Sequence, residues 1–396
     1  MTIDVRPLTD ADDPAARRLG GLAFGYHDTD PRPAQSEGQW STWGGFDDGR
    51  LVAKVVDLHH DQWWGGRVVP ASGIAGVAVE PEHRGRGVTR AVLTAAMQAA
   101  RDRGAAVANL FCTSTAVYRA LGFEVASVMR TVSLPTDVLS RAPVRSVRLR
   151  AGSGRDWPLL RAVYDEIAMH SNGLLTRRGR LFADPTGDEL PDGIDVVTLA
   201  TDDAGETLGY VSYHRGRGYD DSSVINIRDC LALRPDAAQA LLAPMSSWGT
   251  VAPTLRLRLL SWHDAVNAVL PLERVREHRS HIWMHRPVDV VAATAARGWP
   301  ATLEGDVTFR LVDRDLPWND GAWRLAVGGG EAALEPAADD SGLVLDVRGW
   351  SVLWCGAGGA AQLRQSGLLT GGERSLDARL DALLGSGGPT GAYDYF

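Results

Sequence analysis

The residues of this chain best spaced for chemistry run Val77-Ala78-Val79-Glu80-Pro81-Glu82-His83-Arg84-Gly85-Arg86-Gly87-Val88-Thr89-Arg90. An apolar run from Gly73 to Val79 meets a proline and then an arginine- and glycine-rich turn. Small apolar residues follow at Val88, Ala91, Val92, Ala95, Ala96 and Ala99, at helical spacing. The pattern predicts strand, tight loop and helix. Gly85 and Gly87 withhold side chains where a ligand must approach the backbone. The first N–H groups of a helix have no intrahelical partners, and the helix dipole adds positive potential there. A pyrophosphate fits such a site. As a bare surface loop the segment would have little use for two exposed glycines.

Two further groups carry chemistry. Tyr118 sits in Cys112-Thr113-Ser114-Thr115-Ala116-Val117-Tyr118-Arg119-Ala120-Leu121-Gly122-Phe123, where a strand is expected to give way to a short helix. A phenol there suits proton donation to a departing group, and Val117 and Leu121 beside it suit a packing role equally. Thr113 and Ser114 suit hydrogen bonding to a ligand or capping of the Thr115 helix. The last residues, Gly385-Ser386-Gly387-Gly388-Pro389-Thr390-Gly391-Ala392-Tyr393-Asp394-Tyr395-Phe396, join a flexible composition to an aromatic end. Flexibility predicts a solvated tail; the aromatic end predicts docking, because such rings gain by burial.

Composition bounds the alternatives. A chain of 396 residues is expected to hold two or three domains. No apolar run approaches the roughly 20 residues of a membrane span, and Thr2-Ile3-Asp4-Val5-Arg6 is not expected to begin a signal peptide. Cys112, Cys230 and Cys355 are scattered, with neither metal-ligand spacing nor a disulfide framework. A cytoplasmic protein without a metal site is the expectation. The net charge of −8 argues against nucleic-acid partners and suits cationic ones. His27, Asp28 and Asp30 are expected to form a solvated polar loop.

The elements that must position these residues fall into three units. Residues 1–135 read as strand (Ile3 to Leu8), helix (Asp10 to Leu22), two strands (Arg50 to Leu58 and Arg67 to Val79) joined by Asp61-Gln62-Trp63-Trp64-Gly65-Gly66, the long helix ending near Gly104, a strand (Ala106 to Cys112), the Thr115 helix and a last strand (Glu124 to Leu134). Residues 144–281 repeat that order, with Pro235 to Thr250 as the second long helix, but Leu231-Ala232-Leu233-Arg234-Pro235-Asp236 stands where a glycine loop would be. Residues 282–396 read as short strands and helices. The fold class is α/β (α+β).

The eleven positions Val77 to Gly87 match throughout the V-x-V-x-P-x-x-R-G-x-G acetyl-CoA signature of the GNAT acetyltransferases, which they resemble. Together with the Tyr118 segment, Trp283-Met284-His285-Arg286-Pro287-Val288-Asp289-Val290 and the terminal phenylalanine, the whole chain resembles the Eis (enhanced intracellular survival) family of N-acetyltransferases. The resemblance implies tandem GNAT folds, the second degenerate and without a cofactor site, and a C-terminal sterol-carrier-like domain whose tail enters the active site. It implies acetyl-CoA as co-substrate, held by Val77, Ala78, Val79, Gly85, Arg86, Gly87, Val88, Thr89, Arg90, Thr113 and Ser114. It implies Tyr118 as proton donor and the carboxylate of Phe396 as proton acceptor. Phe24, Tyr26 and Trp40 fall where the acceptor is walled. Acceptors in that family are amines of cationic small molecules, aminoglycoside- or polyamine-like, and the assembly is a hexamer. The sequence departs from the family in Ser114-Thr115-Ala116-Val117-Tyr118, where many members have a glycine-rich segment, and in Tyr395, where some have glutamate. The alternative is a non-catalytic binding or scaffold protein that keeps the fold.

Gly87→Glu places a side chain and a negative charge where the pyrophosphate would lie. Calorimetric titration with CoA should show no binding by this variant and one site per chain in the parent; undiminished affinity would exclude this loop.

Overall fold

The computed structural model describes residues 3–26, 39–179, 182–261, 263–338, 341–387 and 390–396. The loop of His27, Asp28 and Asp30 lies outside them. The first unit contains β1 (Asp4–Pro7), α1 (Asp13–Phe24), β2 (Trp40–Asp47), β3 (Arg50–Trp64), β4 (Arg67–Val79), α2 (Val88–Asp102), β5 (Val107–Phe111), α3 (Thr115–Arg119) and β6 (Glu124–Pro135). The second contains β7 (Arg148–Ala151), α4 (Trp157–Ala168), β8 (Val196–Thr201), β9 (Thr207–Arg215), β10 (Val224–Ala232), α5 (Pro235–Leu242), β11 (Thr254–Leu259) and β12 (Arg276–Pro287). The third contains α6 (Val290–Ala296), β13 (Gly305–Val312), β14 (Gly321–Gly328), β15 (Glu331–Pro336), β16 (Leu343–Asp346), α7 (Val347–Trp354), α8 (Ala360–Gln365), β17 (Leu369–Gly371) and α9 (Ser375–Leu383). Among the described residues no helix is long and apolar enough to cross a membrane.

The first two units share one twelve-stranded sheet in the order β1-β2-β3-β4-β5-β12-β6-β11-β10-β9-β8-β7. Their last strands are interleaved. β12 lies between β5 and β6 of the first unit, and β6 pairs with β11 of the second. Residues 282–287, expected at the approach to the third unit, are therefore half of a strand in the large sheet. Trp283, Met284 and the arginine-proline pair gave no period-2 signal, because this stretch is buried on both faces. Arg286 holds the strand's end: it donates to Leu121 O at 2.5 Å and pairs with Asp313 of the third unit at 2.6 Å, both side chains nearly inaccessible. Gly122 admits it; a Cβ there would stand 2.8 Å from an Arg286 nitrogen.

Other expectations shift for local reasons. Asp61 to Trp64 is strand rather than connection, and the hairpin turns on Gly65-Gly66 alone, both with positive φ. β2 was not expected; its glycines and tryptophans obscure the alternation. The second long helix stops at Leu242 and continues as a 3-10 segment, Ala243–Trp248, where Pro244 removes a donor. The third unit is a five-stranded sheet, β15-β14-β13-β16-β17, with α6 and α7 packed against the large sheet. Trp64 and Trp283 of that sheet share a core with Trp350 and Trp354 of α7.

The C-terminal residues cross the large sheet as a strap. Asn172 bridges to Thr390, and Gly391 N donates to Asn172 O at 2.9 Å. Gly173, at φ +90, lets the strap pass; a Cβ there would stand 2.7 Å from Gly391 O. Tyr393 is buried in the core beside α4, and Arg258 donates to its carbonyl at 3.0 Å. Asp394 is bound by Arg177 at 2.8 Å, and the same guanidinium binds Asp229 at 2.7 Å.

Asp394→Asn keeps the size of this clasp and removes its charge, while Arg177 keeps Asp229. Losing about 1.5–3 kcal/mol of charge-assisted hydrogen bonding shifts the docked-to-free ratio of the strap by roughly 10- to 150-fold. Carboxypeptidase should release Phe396 faster from the variant than from the parent at unchanged melting cooperativity. Equal release rates would remove Asp394 from the anchoring.

Candidate active site

The site begins at a fork in the sheet. β4 pairs in parallel with β5 only at Ala71–Val107, Ser72–Ala108 and Gly73–Asn109. Beyond that, β4 follows β3 to Val79 and β5 follows β12 to Phe111. A bulge sets the divergence: Val55 faces both Gly76 and Val77, and Gly76 takes φ +55. Ala78 and Val79 keep their pairing to β3 on one side, Val77 lies in the bulge, and none of the three has a strand partner on the other side. A ligand with amide groups fits between the diverging strands.

Past the fork, Glu80 is buried and bonded by Arg18 and Arg50, the latter at 2.9 Å. Burial pushes its carboxyl up, and the two arginines outweigh that and hold it below the usual range. Glu80, Glu82 and His83 bring three donor atoms within 4.8 Å of one another. Glu80 is already engaged by two guanidiniums and His83 Nε2 lies 3.1 Å from Asp47, so the group ties down the turn. Gly85 and Gly87 adopt φ +72 and +79, and no atom lies within 4 Å of where their Cβ would be. Left-handed geometry and open space together account for both glycines. The first intrahelical bond of α2 is Ala91 N to Gly87 O, so the N–H groups of Val88, Thr89 and Arg90 precede it. Val88 turns its side chain into the core. Arg86 is exposed. Arg90 directs its side chain to Asp315 and to Ala120 O, at 2.7 Å for the latter, so it fastens the loop to the third unit. Only its backbone faces the expected ligand.

Tyr118 is half-buried on α3, its ring 6.1 Å from Phe123. Burial, with a smaller push from Cys112, raises its hydroxyl to about 12. Thr113 and Ser114 are exposed, and Ser114, the N-cap residue, makes no side-chain capping bond. Both hydroxyls therefore stand at the end of β5 without the capping role that their sequence allowed.

Alternation along β5 separates two faces. Ala108 and Leu110 pack with α2, and Asn109 and Phe111 face the strap. On that second face Phe396 reaches the fork. Its ring lies 5.0 Å from His60 and 5.3 Å from Phe111, and 3.1 Å from where a Gly73 Cβ would stand. Tyr395 lies 4.8 Å from Phe111 and 4.5 Å from His281. Burial, then the charges of Arg103 and His59, push His60 down to about 3, so its ring is neutral near pH 7. Asn109 Nδ2 stands 3.4 Å from it and donates to Gln62 Oε1 at 3.1 Å.

The loop thus continues β4 and the α3 tyrosine follows β5, the two strands that diverge at the fork, while the last phenylalanine docks beside Gly73. Phe24 ends α1 exposed, and the Tyr26 ring folds back over Gly20. Trp40 opens β2 opposite Leu58. Sequence reasoning missed His60, Phe111, His281 and Arg177. The available signal was weak: His60 lies past Leu58, where the strand was expected to end, and Phe111 is one apolar residue in a short strand whose faces the sequence does not distinguish.

Residues 4–126 match the acetyltransferase (GNAT) domain family, and residues 290–390 match the sterol carrier protein domain family. An uncharacterized N-acetyltransferase of Streptomyces avermitilis is 30% identical over 329 residues, covering 77% of this chain and 79% of that protein. N-acetyltransferase Eis of Mycobacterium tuberculosis is 25% identical over 345 residues, covering 81% of this chain and 80% of that protein. The crystal structure of a GCN5-related N-acetyltransferase from Kribbella flavida superimposes with a TM-score of 0.82 at 28% identity, covering 100% of this chain and 98% of that one. With its forked sheet, signature loop and these relatives, the chain belongs to the GNAT-superfamily N-acetyltransferases, which use acetyl-CoA as co-substrate.

Proposed function

We propose that the chain is an Eis-type enzyme that moves acetyl directly from acetyl-CoA to the amine of a small cationic molecule in a ternary complex. The observation that carries this reading is the docking of Phe396 at the β4–β5 fork, opposite the α2 face. A terminal carboxylate held there is a fixed anion beside the reacting carbon. It attracts an ammonium and accepts its proton as the C–N bond forms. An unperturbed α-carboxyl has a pKa of about 3.3–3.7. Burial among rings raises a carboxylate's pKa and lowers an amine's, which narrows the gap between them. Neutral His60 walls the site and supplies no charge.

In this reading backbone N–H groups of Val77, Ala78 and Val79 hold the pantetheine arm and polarise the thioester carbonyl. Gly85, Arg86, Gly87, Val88, Thr89 and Arg90 hold the pyrophosphate by backbone, with Thr113 and Ser114 near the arm. Tyr118, protonated throughout the working range, gives its proton to the departing thiolate. Direct transfer is supported by Cys112: burial raises its thiol, so it is a poor covalent relay. Polyamine- or aminoglycoside-like acceptors rest on the net charge of −8 and on the Eis resemblance. Phe24, Tyr26 and Trp40 would wall the outer acceptor path. A hexamer follows from the same resemblance, and the free cysteines suit the reducing cytoplasm.

Thiol release in the presence of polyamines, aminoglycosides and amino acids tests the activity. Lines that intersect when both substrates are varied are expected; parallel lines would mean a covalent relay. Tyr118→Phe should cut turnover by about 10²–10⁴-fold and leave CoA affinity unchanged. An acid with a pKa of about 12 keeps its proton as pH rises, so the parent should show no falling limb between pH 8 and 10. A limb there that vanishes in Tyr118→Phe would contradict the geometry. A short C-terminal extension moves the carboxylate of Phe396 while leaving Asp394 in place. It should abolish most activity, where an N-terminal tag does not; equal activity in the two proteins excludes the carboxylate.

A further inference from the structure

Beside the docked strap the sheet face opens into a cavity of about 420 Å³, in the range of small-molecule sites. Strands β6, β12, β11 and β10 form its floor, and the ring of Tyr395 forms the wall nearest the fork. Register explains its lining. Thr131 of β6 lies between Arg258 of β11 and Arg279 of β12, and Arg256, two residues from Arg258, points to the same face. Arg228 of β10 completes the group.

Four guanidiniums in one cavity are unusual on a chain of net charge −8. Elsewhere most arginines meet carboxylates; on the other phase of β6, Arg130 lies 3.5 Å from Glu277. Among the described residues Arg228, Arg256 and Arg279 have no ion-pair partner, and Arg258 donates only to Tyr393 O. Arg256 Nε is buried without a hydrogen-bond partner. Asp195, near the rim, is taken up by His214 at 3.0 Å and by Arg215 N at 2.6 Å. Burial first, then Arg256 and Arg279, push His278 down; burial, then Arg279 and Arg258, push His281 down. The cavity is thus a concentrated positive field without its counter-charge. A polycation entering it meets repulsion, and a compact anion meets four donors suited to forked bonding.

We propose that this cavity is the acceptor's specificity site and that the acceptor carries an acidic group, carboxylate or phosphate, besides its amine. Arg228, Arg256, Arg258 and Arg279 bind the acid, and the amine then lies toward Phe396, past the rings of Tyr395 and Phe111. This rests on the reading of the fork as the transfer site and replaces its polyamine- or aminoglycoside-like acceptors with amphoteric ones. The signature loop, on the α2 face, leaves this cavity free of the donor's own phosphates.

The test compares acceptors that differ only in the acid: 4-aminobutyrate with its amide, and phosphoethanolamine with ethanolamine, with spermidine as polycation. The acidic member of each pair should have a kcat/KM at least tenfold higher. In full-length Arg256→Gln/Arg279→Gln that ratio should fall toward 1 through KM, with CoA affinity and melting temperature retained. Spermidine as the best acceptor, or an unchanged ratio in the variant, overturns the proposal. So does a change of assembly mass in the variant, which would assign the face to contact between copies. If no acceptor is turned over while CoA binds, the transfer reading fails separately. Calorimetry of the CoA-saturated protein with inorganic pyrophosphate, the signature loop being filled, then decides the cavity: no binding by the parent, or equal binding by the variant, overturns it.

Discussion

The arrangement depends on one buried guanidinium. Arg177 stands between Asp229 of β10 and Asp394 of the strap, over the ring of Tyr164 at 4.0 Å. Burial pushes its pKa down; the carboxylates of Asp229 and Asp394 outweigh that and hold it above the usual arginine range. Such a cluster contributes little net stability, because desolvating three charges offsets most of their attraction. What it contributes is position. Either carboxylate left alone in this core would be costly, so strap and sheet satisfy each other in one register only. The cost is visible in the backbone, where Arg177 takes φ +50, a conformation that side chains other than glycine adopt reluctantly.

From that clasp the chemistry is laid out on two sides of a single sheet. The signature loop and α2 occupy one face, the strap and the arginine-lined cavity the other, and the fork between β4 and β5 is where the faces communicate. Tyr118 belongs to the short helix that follows β5, so its position and the fork are set by the same strand.

Much of this was legible in the residues. The loop was readable because strand, proline, glycines and helix follow one another within a few residues, and each has a local physical reason. The aromatic end was readable as a thing that seeks burial. What could not be read is non-local. β12 is assigned to its place by strands far away in sequence, and Arg177 looks like any exposed arginine until Asp229 and Asp394 are brought to it. The basic cavity is spread over four strands and leaves no run of charge. The tie of the Arg90 side chain to Asp315 is another such contact, which its place in the motif does not reveal.

The exchange of β6 and β12 also orders events in time. β5 does not gain its second neighbour until Pro287 can lie beside Val107, so the first sheet stays open at its catalytic edge while the whole second unit is synthesised. Loop closure over that span is slow and exposes a strand edge meanwhile. The two units therefore cannot mature one after the other as beads on a string. They complete each other in a single late step, because β12 of the second unit fills the gap between β5 and β6 of the first.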